Sequence, residues 1–165
     1  MGSVAFVEER VLFSPNIPTE VNQLLQAAVA ACSVDQNRAE KLFLQAQALD
    51  SCCLQTYFAL YKFYFFQKRL VDAERIVMAG LEESARQGGF PSDYRQLVED
   101  RQQWNLYANE GSLFYLYTLK ALAFIKLRLG LALDAQHVLS HLQQLDPEDH
   151  SGASVIMDLA AGSTE

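Results

Sequence analysis

Prolines stand only at positions 15, 18, 91 and 147 of this 165-residue chain, and glycines are sparse. The long stretches between them are therefore open to helix. Their apolar residues recur at helical spacing. Val21, Leu24, Leu25, Ala28, Val29 and Cys32 fall at i, i+3, i+4, i+7, i+8 and i+11, one helical face, with Thr19 placed to cap its start. A second helix is expected from about Asn37 to Leu49, with Ala39, Leu42, Phe43, Ala46 and Leu49 on its stripe. Ser51 is placed to cap a third, which holds "YFALYKFYFF" at 57–66 and ends at "QKRL". A fourth covers 71–86 and stops before Gly88 and Gly89. After "FPSD" the pattern predicts a polar helix over 93–107, with Tyr94, Leu97, Val98 and Trp104 inward. Helices over 112–129 and 132–145 follow, separated by Gly130, and a short one over 153–160. Only residues 4–13 carry a weak strand pattern, so the expected fold class is all-α.

Half of the residues are hydrophobic and a fifth are charged, a balance that suits a folded domain. A net charge of -7 argues against a nucleic-acid binder, whose footprint is basic. Much of that charge lies in 146–165, where Asp146, Glu148, Asp149, Asp158 and Glu165 meet no Lys or Arg. Three cysteines, two of them adjacent at Cys52 and Cys53, make no disulfide framework and suit reduced thiols in a cytoplasmic protein. "MGSVAFVEERVLF" has no basic region followed by a long apolar run, so no signal peptide is expected. Lys62, Lys68 and Arg69 interrupt one apolar stretch and Lys120, Lys126 and Arg128 the other, so no membrane association is expected. The expected location is cytoplasmic.

Helices joined by short turns invite a search for repeats. Ala39 and Ala73 lie 34 residues apart, and Ala135 lies 62 further on. Eleven residues past the first and last of these alanines the chain reads "ALD" at Asp50 and "QLD" at Asp146. A period of 34 thus occurs once and is then broken by an insertion of 28 residues. This helix-turn-helix period resembles the tetratricopeptide repeat. Tyr57, Leu60 and Tyr64 stand on the first-helix positions of that family's pattern, and Ala73, Val77 and Gly80 on those of the second helix. Leu119, Leu122, Ala123, Gly130, Ala135, Leu139 and Pro147 fit a later copy, and Ala39, Phe43 and Ala46 an earlier one. Tyr61 departs from the pattern in a slot for small residues, and Lys126 in a usually aromatic one. The resemblance implies one domain over 1–165, a right-handed superhelix of antiparallel hairpins. Repeats would occupy about 20–51, 54–86 and 116–147, with a helical insertion over 87–111 and a capping helix and acidic tail over 148–165.

The aromatic run holds more rings than one core face needs. Tyr57, Leu60, Tyr61 and Tyr64 take the repeat's core positions, which leaves Phe58, Lys62, Phe65 and Phe66 at i, i+4, i+7 and i+8, a second stripe. In proteins that this chain resembles, the first helices of successive repeats line a groove that receives a peptide or partner helix. By position the third copy adds Tyr117, Lys120, Phe124, Leu127 and Arg128, and the first copy adds residues near Leu24 and Ala28. The implied trough is aromatic with a basic edge of Lys62, Lys120 and Arg128. It suits a protein or peptide segment with hydrophobic anchors and acidic flanks. The expected function is accordingly a non-catalytic adaptor or small chaperone. The alternative is a self-associating protein whose trough is filled by its homodimer mate, its insertion helix or its acidic tail. The Lys and Asn clamp with which some of these repeats hold chaperone C-termini is absent, since the first repeat reads "LLQAAVAA" there.

Catalytic chemistry is thin. Asp134, His137 and His141 share a helix face at i, i+3 and i+7, where two imidazoles could chelate an ion. That face points away from the Ala135, Val138, Leu139 and Leu142 stripe, and Val138 stands where H-E-x-x-H has Glu, so a solvated surface accounts for it. Cys52 and Cys53 read as small buried hydrophobes. No G-x-S-x-G, P-loop or G-x-G-x-x-G occurs. No enzyme activity, no cofactor and no metal are expected.

Overall fold

In a computed structural model, described here for residues 16–157, every regular element is helical and no strand occurs among those residues. The weak strand pattern at 4–13, Asp158, Glu165 and the end of the expected helix over 153–160 lie outside them. The helices are α1 (Thr19–Ala31), α2 (Gln36–Leu49), α3 (Leu54–Phe66), α4 (Leu70–Gly88), α5 (Tyr94–Glu99), α6 (Glu110–Arg128) and α7 (Ala132–Leu145), with a 3-10 turn at Arg101–Gln103. Residues 153–157 are helical again. The chain forms two compact units that divide within α4, between Ile76 and Val77.

In the first unit α1 packs on α2, and α2 on α3. Asp35 starts α2 by accepting the Arg38 backbone N–H at 3.1 Å. The expected caps at Thr19 and Ser51 do not form. Pro18 occupies the N-cap of α1 with extended backbone, which makes Thr19 the first helical residue. Ser51 lies in a turn that Asp50 closes by accepting the Cys52 N–H, so Cys53 becomes the N-cap of α3. Val21, Ala28, Ala39, Phe43, Leu60 and Tyr64 are at most 1% exposed, and Phe43 meets Phe63 with centroids 5.2 Å apart. A polar tie joins α2 to the turn after α3. Arg69 donates from both terminal nitrogens to the two Glu40 oxygens at 3.0 Å each, and the Tyr64 hydroxyl donates to Glu40 Oε2 at 2.7 Å. The Arg69 and Tyr64 hydrogen bonds hold the Glu40 carboxyl below its ordinary range. Burial and the Glu40 contact push Tyr64 up to about 12.

In the second unit α6 packs on α7, and α5 on α7. The helix expected over 93–107 breaks at Asp100. The Arg101 guanidinium donates to the Val98 carbonyl at 2.9 Å, satisfying a helix-end acceptor, and Asn105 closes its own turn on the Tyr107 N–H. Leu97 and Val98 are buried, as their spacing indicates, whereas Tyr94 and Trp104 are only half-buried. The Phe90 ring meets Tyr115 edge-on at 5.2 Å and Trp104 at 6.2 Å. The Tyr115 hydroxyl donates to the Ser92 carbonyl at 2.7 Å.

The two hairpin turns on either side of the insertion are built alike. Arg69 N–H reaches back to the Tyr64 carbonyl at 3.0 Å, and Leu131 N–H to the Lys126 carbonyl at 2.9 Å. Both are the six-to-one bond of a Schellman turn, around Lys68 in one and Gly130 in the other. Ala73 and Ala135 then donate to the carbonyls of Arg69 and Leu131, and both alanines are fully buried, as is Ala39. Asp50 and Asp146 also match: each backbone N–H closes its helix on the carbonyl four residues back, and each carboxylate accepts from downstream backbone, Asp50 from the Cys52 N–H and Asp146 from those of His150 and Ser151. These likenesses lie 62 and 96 residues apart; across the 34 residues from Ala39 to Ala73 the shared feature is the first-turn bond, from Ala39 to the Asp35 carbonyl at 3.0 Å and from Ala73 to that of Arg69 at 2.9 Å.

Candidate functional site

α3 is apolar around its circumference, and its nine buried residues include Thr56, Tyr57, Leu60, Tyr61, Phe63 and Tyr64. The stripe expected to meet a partner divides along its length. Phe58, at the N-terminal end, is 7% exposed, its ring edge against Tyr61 at 5.6 Å, and it offers little surface. Lys62 is half-buried, its ammonium 4.7 Å from the Phe58 ring centroid. Phe65 is half-buried, and Phe66 is 50% exposed with its ring edge-on to Phe65 at 5.9 Å. Surface for contact therefore lies at the C-terminal end of α3.

The other four expected positions lie on α6 in the second unit. Tyr117, Lys120 and Phe124 are half-buried and Arg128 is exposed. The Lys120 ammonium sits 5.0 Å from the Tyr117 ring centroid. Burial lowers the pKa of Lys120, against the opposing pull of Asp149 and Asp146. Those two acids belong to the segment after α7, so part of the acidic stretch lies near one lysine of the expected basic edge. Asp146 itself is buried and fully engaged. Its Oδ1 accepts from the Tyr107 hydroxyl at 2.5 Å and the His150 N–H at 2.9 Å, and its Oδ2 from the Ser151 N–H and hydroxyl at 2.9 and 2.6 Å. Burial opposes its ionisation, but these donors outweigh it and hold the carboxyl below its ordinary range.

The second unit also contains a cleft of about 480 Å³. Leu81, Leu122 and Val138 form its buried floor, and Tyr94, Lys126 and His137 stand among its polar lining. Here the structure adds a residue that the α7 pattern does not reveal. Tyr94, from the start of α5, has its hydroxyl 3.0 Å from His137 Nδ1, and its ring lies edge-on to both His137 and His141 at 5.9 and 5.1 Å. The two imidazoles are 4.6 Å apart. Spacing placed Tyr94 on an inward face, and no periodicity of α5 could show which residues of α7 it would meet. Asp134 also lines the cleft, but no three His, Cys, Asp or Glu side chains converge on a metal position among the described residues. Cys53 is buried, whereas Cys52 is exposed, which corrects the reading of both thiols as interior; Cys52 lies in the turn before the helix rather than on its inward face.

No helix among the described residues is long and apolar enough to cross a membrane. No family model matches the chain, and no solved structure matches it. It is similar to an "Uncharacterized 19.8 kDa protein in nifW 5′region" of Azotobacter chroococcum mcd 1, with 29% identity over 133 residues that cover 80% of this chain and 75% of that relative.

Proposed function

We propose that this chain is a non-catalytic protein-binding module, an adaptor or small chaperone of the cytoplasm, built from tetratricopeptide-like hairpins. The superhelical array that the resemblance implies is part of this reading. The observation that supports it is the C-terminal end of α3, where Phe66 keeps half its surface and meets Phe65 beyond the nine side chains the helix buries. Large aromatic rings left at a surface are the residue type that anchors protein interfaces. On α6, Tyr117, Lys120 and Phe124 keep part of their surface beside the exposed Arg128. Aromatic anchors flanked by Lys62 or by Lys120 and Arg128 suit a segment with hydrophobic side chains and acidic neighbours.

The test compares wild type with Phe66→Asp. A protein recovered from native lysate by wild type is purified, and its affinity for both chains is measured directly. The reading expects saturable binding to wild type and at least tenfold weaker binding to a Phe66→Asp chain of unchanged helicity. Equal affinities would sink the assignment of Phe66. Light scattering addresses self-association: a wild-type dimer that Phe66→Asp dissociates would replace the adaptor reading with the homodimer.

A further inference from the structure

We propose that His137 and His141 form a chelating site for a late first-row divalent ion of the Ni²⁺, Cu²⁺ or Zn²⁺ class, with Tyr94 as its positioning residue. The inference does not depend on the protein-binding reading.

The case begins with tautomers. His141 Nδ1 lies 2.7 Å from the His137 carbonyl oxygen. A carbonyl can only accept, so Nδ1 carries the proton and Nε2 carries the lone pair. The His137 ring can take the same tautomer, because its Nδ1 lies 3.0 Å from the Tyr94 hydroxyl, which accepts as well as donates, and an ion at Nε2 selects that arrangement. With the Nδ1 proton directed at Tyr94, the lone pair of His137 also moves to Nε2. Both rings then match the pattern of metal-bound imidazoles, in which the ring nitrogen away from the ion donates to a carbonyl or other oxygen and fixes the ligand's orientation.

Spacing and access agree. Residues four apart on a helix are neighbours on one face. Two imidazoles bound through Nε2 to one tetrahedral ion would have centroids about 5 Å apart, from the usual metal–nitrogen distance. The observed separation is 4.6 Å, with the planes tilted by 52°. Edge contacts from the Tyr94 ring to both imidazoles limit their rotation, so less rotamer freedom remains to be lost on binding. His137 is exposed and lines the cleft, whose charged lining is three carboxylates, Glu82, Asp93 and Asp134, against Arg95 and Lys126. That balance favours a cation. With no third convergent ligand among the described residues, water completes the coordination, and the imidazole pair selects soft and borderline ions over Mg²⁺ or Ca²⁺.

The test is calorimetric titration of tag-free, full-length protein with NiCl₂, alongside MgCl₂. The expected result is one Ni²⁺ per chain and no Mg²⁺, with affinity falling as the pH is lowered because protons compete for the same lone pairs. Binding should persist in Cys52→Ser, which removes the exposed thiol, and disappear in both His137→Ala and His141→Ala. Tyr94→Phe keeps the ring but removes the oxygen that orients His137, and should weaken binding about tenfold. Nickel should also slow amide exchange in α5, since ligation strengthens the His137–Tyr94 bond that joins α5 to α7. Saturable binding that survives either histidine substitution, or no binding at all, overturns the site. Full affinity in Tyr94→Phe overturns the positioning role.

Discussion

Lys68 and Gly130, 62 residues apart, hold the same left-handed backbone at the same place in their turns, with φ of 63° and 81°. Glycine takes that conformation without steric cost, whereas a residue with a Cβ is strained by roughly 1–2 kcal/mol. The two turns are otherwise alike, so the chain itself supplies the control.

Lys68→Gly should stabilise the protein by about 0.5–1 kcal/mol, because relief of strain exceeds the extra entropy of glycine in the unfolded chain. Gly130→Ala should cost about 1 kcal/mol by the same argument in reverse. Urea denaturation of the two variants checks the pair. A destabilised Lys68→Gly chain would mean that the lysine stem contributes more than its backbone costs.

Glu40 accepts from Arg69 and Tyr64 together, and Asp72 accepts from Arg69 Nε at 3.0 Å. Glu40 is held below its ordinary range first by the Arg69 hydrogen bond, and so is Asp72. A carboxylate depressed in the folded state contributes stability above its unfolded pKa of ~4, and that contribution is lost as pH falls through the folded value. Wild type should therefore lose stability on acidification below that point, and Glu40→Gln should show a shallower loss. At neutral pH Glu40→Gln should cost about 1 kcal/mol, a figure kept small because the Arg69 side chain is 39% exposed. Identical acid profiles for the two chains would remove this tie from the stability of the first unit.

Gly88 closes α4 where a Cβ would lie 2.3 Å from Phe90 Cε2. Phe90 has little room to retreat, with Tyr115 and Trp104 against its ring. Gly88→Ala should cost about 1–3 kcal/mol and change the near-ultraviolet circular dichroism of these aromatics. Gly89→Ala meets nothing within 4 Å, but its φ of +72° carries only the left-handed penalty of about 1 kcal/mol and should leave that spectrum unchanged.

Asp146→Ala strands the Tyr107 hydroxyl and the donors of His150 and Ser151, and should cost roughly 3 kcal/mol. Hydrogen exchange should accelerate at the amides of His150 and Ser151 while those of α2 stay protected. Uniform acceleration through both units would contradict this local role.

Phe58→Asp and Phe66→Asp, eight residues apart on one helix, should differ sharply. The first places a carboxylate at a site 7% exposed and should cost several kcal/mol; the second acts at a half-exposed site and should stay within about 0.5 kcal/mol. Thermal melts of the two variants decide it. Equal losses would make both rings core.

The helices were legible in the chain because their information is local. Proline placement, apolar spacing and the alanines at 39, 73 and 135 are properties of adjacent turns, and α7 begins and ends where its pattern does. What failed at short range failed through competition: Pro18 displaced Thr19 from the cap, and Arg101 and Asn105 stopped a helix that periodicity alone would have continued. The aromatic stripe of α3 was visible as a pattern. Its division into a buried Phe58 and a half-exposed Phe66 was not, since periodicity assigns both to one face and burial depends on what lies against each end. The same holds for Tyr94 and His137, 43 residues apart. Local sequence sets which residues share a helix face, but which faces meet, and how much of each remains in water, is a property of the packed chain.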